Sequence, residues 1–128
     1  MSIRVSRPDE PNHAMTLTPV RGRAMVGDEV VLAEAEALAV VESFGERSRP
    51  AVYYFAAGSV DASRLRRTDA EHMCPLKGHS VMLDLKVGDR WLSQAAWTYE
   101  RMHDWDDNLE QLKGRIAFDG NQVAVSTL

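Results

Sequence analysis

Ser80-Val81-Met82-Leu83-Asp84-Leu85-Lys86-Val87 is the stretch on which the fold turns. Val81, Leu83, Leu85 and Val87 alternate with Met82, Asp84 and Lys86. Side chains two apart on an extended chain share a face, so this is a strand with one apolar and one mixed surface. Gly88-Asp89 turns it into Arg90-Trp91-Leu92, and Ala95-Ala96-Trp97-Thr98-Tyr99 is a further strand that sets Trp97 and Tyr99 on one face. Upstream, Ala24-Met25-Val26 and Glu29-Val30-Val31-Leu32-Ala33 flank Gly27-Asp28 and predict a hairpin. Residues Glu34 to Val41 mix helix formers with a short length and a Ser43-Phe44-Gly45 break, and are read as a strand. Pro50 to Phe55 has the aromatic and β-branched composition of a half-buried strand. Asp61 to Leu65 then forms one helical turn capped by Ser59 or Asp61.

Asp106 to Gly114 carries acids at its start, Lys113 in its last turn and a glycine past its end, the signature of a short helix. Arg115 to Phe118 and Gln122 to Val125 flank Asp119-Gly120-Asn121 and predict a closing hairpin. Residues 1–20, with Pro8, Pro11 and Pro19 and no sustained apolar period, read as an extended N-terminal arm, part of which packs on the body. Residues 21–128 form one domain. Many short strands with turn signals and little helix make it mainly β, a single antiparallel-sheet domain with one or two short helices.

The bulk numbers fit an ordinary globular domain: 128 residues, 45% hydrophobic and 27% charged. A net charge of −4 and the absence of a basic cluster beyond Arg66-Arg67 argue against nucleic acid as a partner. No apolar stretch approaches the roughly 20 residues that span a bilayer, and the N-terminus lacks a signal peptide's apolar segment. The expected location is the cytoplasm, with no membrane partner. The one cysteine allows no internal disulfide, so packing alone holds the core.

That cysteine lies in His72-Met73-Cys74-Pro75-Leu76-Lys77-Gly78. Pro75 biases Cys74 toward extended geometry and Gly78 permits a turn, so the segment reads as a shaped loop holding a thiol and an ammonium together. Cys74 is either a nucleophile activated by Lys77 or His72, or a small buried hydrophobe. A disulfide-type reductase cycle needs a resolving thiol, which the chain does not supply. A metal centre is not expected: His13, His72, His79 and His103 are scattered, and a His72, Cys74 and His79 set would have to converge across a proline. No cofactor is implied.

From about Gly22 to Val125 the chain resembles the bacterial domain-of-unknown-function family 427. The match is carried by Val52, Tyr54-Phe55, Val60-Asp61, Asp69, Cys74-Pro75 with Lys77-Gly78, Ala96-Trp97 with Tyr99, and Ala117-Phe118. The resemblance implies a compact, strongly bent antiparallel domain, similar to the β-tent of Mss4-like proteins and one class of methionine sulfoxide reductases. It does not assign chemistry. The chain departs from the family pattern at Ala57, Ala70 and Leu76, where an arginine, a histidine and a tyrosine are usual.

Nucleotidyl transfer, a label sometimes attached to that family, needs carboxylates that hold two metal ions. Gly58-Ser59 is present without a following Asp-x-Asp, and Asp104-x-Asp106 is explained by helix capping. Tyr54, Trp97 and Tyr99 can line a concave pocket, with Lys77 offering a cation and His72 and Cys74 close by, or they can be core. Three functions stay open: a small-molecule-binding domain with its pocket near the Cys-Pro-x-Lys-Gly loop; an enzyme, reductase- or transferase-like, with Cys74 as nucleophile and Lys77 as its second catalytic candidate; and a protein-interaction module anchored by Trp91, or by Trp105 beside Met102. Oligomeric state is not readable from the sequence.

Overall fold

The apolar alternation of residues 80–87 builds the middle of a sheet. A computed structural model describes all residues from Met1 to Leu128. In chain order its strands are β1 (Ile3–Ser6), β2 (His13–Val26), β3 (Glu29–Phe44), β4 (Arg47–Ser48), β5 (Val52–Phe55), β6 (Leu65–Cys74), β7 (Gly78–Val87), β8 (Arg90–Met102), β9 (Ala117–Phe118) and β10 (Ala124–Thr127). One antiparallel sheet holds β1 to β5 with β10, and the other runs β6-β7-β8-β9. Two 3₁₀ turns, Ala62–Arg64 and Asp107–Leu112, are the only helical segments. The domain is mainly β, as expected, and the sheets do not close into a barrel.

Local chemistry explains most boundaries. Gly27 adopts a φ of 58° between β2 and β3, and Gly88 one of 60° between β7 and β8, a region glycine enters without a Cβ penalty. Asp61 caps the first 3₁₀ turn by accepting from Ser63 N, and Asp106 caps the second by accepting from Asn108 N. The expected helix at 106–114 is therefore a 3₁₀ segment, buried through Leu109 and Leu112.

The expected closing hairpin at 115–125 is corrected. β9 pairs with β8, through Ala96 opposite Phe118, whereas β10 crosses to the other sheet and pairs with β2, Thr127 opposite Gly22. The Asp119 carboxylate accepts from Asn121 N and Gln122 Nε2, bending the chain sharply, and Val123 is buried at the crossing. The segment read as a loop is also more regular than expected. Residues 72–74 complete β6, with Cys74 opposite Gly78, so only residues 75–77 form the connection. The first twenty residues supply β1 and the start of β2, and bury Val5, Met15 and Leu17.

Apolar burial divides into two clusters. Val81, Leu83, Leu85 and Val87 join Ala24, Leu32, Ala37, Phe55 and Phe118 in the larger one, between the sheets. Leu38, Val40, Tyr54, Leu76, Tyr99, Leu109 and Leu112 form the second with Val5, Met15 and Leu17. Neighbours in sequence part company: Ala37 and Phe55 enter the first cluster, Leu38 and Tyr54 the second. Both faces of the first sheet are thus covered where β3 meets β5, and the second sheet stands against that region. Phe55 ties the two by exchanging backbone hydrogen bonds with Ile116, 2.8 and 3.0 Å.

Candidate functional site

Register places the site. On the second sheet His72 stands opposite Ser80, and Ser80 opposite Tyr99, while Met82 faces Trp97 one row further along. On the first sheet Val40 pairs with Val52 and Leu38 with Tyr54, and Glu42 lies two residues beyond Val40 on the same face. These rows face each other across a cleft of about 440 Å³, which Arg49 and Pro50 and the Lys77 side chain complete. Of the six residues singled out from sequence, Tyr54, His72, Lys77, Trp97 and Tyr99 line it. Cys74 does not, although its sulfur is 3.8 Å from Lys77 Nζ.

Lys77 is the unusual member, since only 5% of it is exposed and an ammonium is rarely buried without a partner. The partner is Glu42, whose Oε1 accepts from Nζ at 2.5 Å. The second carboxylate oxygen of Glu42 accepts from His13 Nε2 at 2.7 Å. Arg7 Nη1 lies 3.4 Å from His13 Nδ1. The His13 ring stacks on Phe44 at 4.2 Å. A polar chain therefore runs Arg7, His13, Glu42, Lys77 and Cys74 beneath the cleft.

Electrostatics follow the geometry. Burial works to raise the carboxyl of Glu42, but the charge and hydrogen bond of Lys77, joined by those of His13, outweigh it and hold the group below its ordinary range. For Lys77, burial disfavours the charged form, yet Tyr54, Cys74 and Glu42 together raise the ammonium above its ordinary value. Burial pushes the phenols of Tyr54 and Tyr99 up, so both rings stay neutral. The Tyr54 hydroxyl accepts from Trp97 Nε1 at 3.3 Å, and the two rings meet edge to face with centroids 6.3 Å apart.

The Cys74-to-Gly78 connection is fixed from several sides. The Cys74 sulfur accepts from Lys77 N at 3.4 Å, and the Cys74 carbonyl accepts from His103 Nε2 at 2.8 Å. Gly78 has a φ of 144°, and a Cβ added there would sit 2.1 Å from the Arg101 carbonyl oxygen. Only glycine lets β8 approach so closely, and that approach sets the height of Lys77 in the cleft. Leu76 is wholly buried in the second cluster and serves packing.

Other sequence candidates disperse. His79 stands opposite Met73, on the face away from His72 and Cys74, and no three histidine, cysteine, aspartate or glutamate side chains gather closely enough to hold a metal ion. Asp106 of the Asp104-x-Asp106 pair caps its turn. Trp91 lies under the Arg66 guanidinium at 4.2 Å and Trp105 stacks on His103 at 4.2 Å, so each ring already has a covering group. Sequence reasoning missed Glu42, His13 and Arg49. Glu42 meets Lys77 side chain to side chain across the two sheets, 35 residues away in sequence, and His13 reaches Glu42 through the β2–β3 pairing, contacts that no local pattern reveals. A second cavity of about 670 Å³ adjoins the cleft past Arg49, Pro50, Val52 and Trp97, and of the six candidates only Trp97 reaches it.

The chain belongs to the family described as a domain of unknown function (DUF427), whose model matches residues 14–127. No curated protein matches it. No helix is long and apolar enough to cross a membrane.

Proposed function

We propose that this DUF427 domain binds a small molecule in the cleft walled by Tyr54, Trp97 and Tyr99 and floored by the Glu42–Lys77 pair. The observation that carries the reading is the buried ion pair opening onto an aromatic-lined hollow. Replacing a buried pair by hydrocarbon of the same size is often neutral or stabilising, so such a pair is poorly explained as a device for stability alone. A concave, mostly apolar cavity with a few fixed polar groups is the usual form of a ligand site. The β-tent likeness to Mss4-like proteins belongs to the same proposal, since two bent sheets facing each other supply that hollow.

Amide-detected NMR with a fragment library tests it. Binding fragments are expected to shift the amides of Tyr54, Lys77 and Tyr99 and the indole Nε1–H of Trp97, and Trp97→Ala is expected to abolish those shifts. Fragments that bind only elsewhere, or not at all, refute the proposal.

Catalysis through Cys74 is the second reading, favoured by the sulfur's contacts with the Lys77 amide and ammonium. It is the weaker one, because Glu42 holds the same ammonium at 2.5 Å against 3.8 Å for the sulfur. A nucleophilic Cys74 would be alkylated by iodoacetamide in the folded protein faster than a free thiol at the same pH. Modification only after unfolding removes this reading. The cytoplasm remains the proposed location.

A further inference from the structure

The cleft carries an uncompensated positive charge. Glu42, Arg49 and Lys77 are the lining residues with a fixed formal charge. Glu42 and Lys77 cancel each other at 2.5 Å. Arg49 has no carboxylate partner among the ion pairs of the protein, and its guanidinium carbon lies 5.1 Å from the centre of the Phe44 ring. In a chain of net charge −4, a site of local charge +1 runs against the whole.

Position adds to charge. Arg49 lines the cleft, the adjoining larger cavity and a small third one beside Phe44 and Arg47. Its backbone is anchored where it is needed: Arg49 N donates to the carbonyl of Glu42 at 2.9 Å, so the root of the side chain is fixed to the strand that carries the buried carboxylate. His72, exposed at the same cleft, faces it from the other sheet without an ion pair of its own. The remaining walls are flat and apolar: Trp97, Tyr99, Met82, Val52 and Pro50.

We infer that the ligand of this cleft is a flat, largely apolar acid, an aromatic carboxylate in chemical class, whose ring lies against Trp97 and whose carboxylate meets the Arg49 guanidinium. The inference rests on the cleft being a binding site, as proposed above, and adds the class of molecule. A guanidinium presents paired N–H donors that match a carboxylate in two parallel hydrogen bonds, and such charge-assisted bonds are roughly twice as strong as neutral ones. The buried Lys77 cannot play that role while Glu42 holds it. Its part is to keep the floor electrically neutral, so that a carboxylate entering at the Arg49 end meets attraction without a facing free anion.

The test uses a fragment set in which each aromatic carboxylate, such as indole-3-acetate, is matched with its primary amide, here indole-3-acetamide. Affinities are read by NMR titration of the cleft amides in the full chain. The acids are expected to bind about tenfold more tightly than their amides, the step that one charge-assisted contact supplies over a neutral one. Arg49→Gln is expected to bring each pair within about twofold, chiefly by weakening the acids, and Arg49→Lys to retain part of the difference. Arg47→Gln, which touches only the small third cavity, is expected to leave the difference intact. Equal binding of acids and amides to the wild-type protein overturns the ligand class and leaves the cleft as a site. Persistence of the acid preference in Arg49→Gln overturns the assignment to Arg49. Failure of every fragment to shift the cleft amides overturns both the class and the binding reading beneath it.

Discussion

Lys77→Met removes one half of a buried pair while keeping the length and apolar stem of the side chain. The Lys77 and Glu42 side chains are 7% and 14% exposed, so the carboxylate left behind has little water to turn to. Breaking a buried pair from one side costs about 3–5 kcal/mol. Glu42 keeps its 2.7 Å hydrogen bond from His13, which sets the expected loss at the lower end, about 3 kcal/mol. A domain of this size loses about 10 °C of Tm for such a change and stays folded. Glu42→Gln in the same chain removes the orphaned charge, so the double variant is expected to be more stable than the sum of single losses predicts, by about 2 kcal/mol.

The pH profile adds a second readout. Glu42 has its carboxyl lowered in the folded state, so its contribution is present above the unfolded value of 4.5 and is lost as pH falls through the folded value. Lys77 is raised in the folded state, so its contribution is present below 10.5 and is lost as pH rises through the folded value. The wild-type advantage over Lys77→Met is therefore full between about pH 4.5 and 10.5 and shrinks on either side. Urea denaturation followed by tryptophan fluorescence across pH 3 to 11 measures it. A Lys77→Met cost below about 1 kcal/mol, or strictly additive single and double variants, would refute the account of a coupled buried pair.

Gly78→Ala sets a Cβ 2.1 Å from the Arg101 carbonyl oxygen and is expected to cost at least about 3 kcal/mol, read as a fall in Tm of about 10 °C or as loss of soluble protein. Phe55→Ala empties the contact between the sheets, where the ring is fully buried, and should cost about 3–5 kcal/mol in urea melts. Tyr54→Phe leaves the Trp97 indole N–H without its 3.3 Å partner, and a loss of about 1 kcal/mol with a shift in the Trp97 Nε1–H resonance is expected. Arg66→Gln, by contrast, removes an exposed pair with Asp84 and should change stability by less than about 1 kcal/mol, while Trp91, which lies under the guanidinium, changes its emission.

Legibility varied with the kind of signal. Residues 80–87 announce their strand because one face is buried and the other is mixed, and the Gly27 and Gly88 turns are marked by residues that tolerate positive φ. β6 left no such mark: it lies at the edge of its sheet, and Arg66, Arg67, Glu71 and His72 are exposed, so no apolar rhythm survives. Asp119-Gly120-Asn121 looks the same whether the chain returns along its neighbour or leaves for another sheet, since the Asp119 carboxylate bonds only to Asn121 N and the Gln122 side chain within the turn. Tyr54, Lys77, Trp97 and Tyr99 could be picked out by residue type and family resemblance. Glu42 and His13 could not, because what makes them notable is a 29-residue separation closed by strand register.

The crossing of β10 has a consequence for how the protein is made. Residues 124–127 complete an edge whose other half, residues 22–25, emerges from the ribosome about a hundred residues earlier. Until that late segment arrives, the upper part of β2 offers unpaired amides and carbonyls to any passing chain. Closure between such distant segments carries a large loop entropy, and folding dominated by distant contacts is slow. Synthesis at reduced temperature, or with a holding chaperone in excess, should therefore raise the soluble yield more for this protein than for a helical one of equal length.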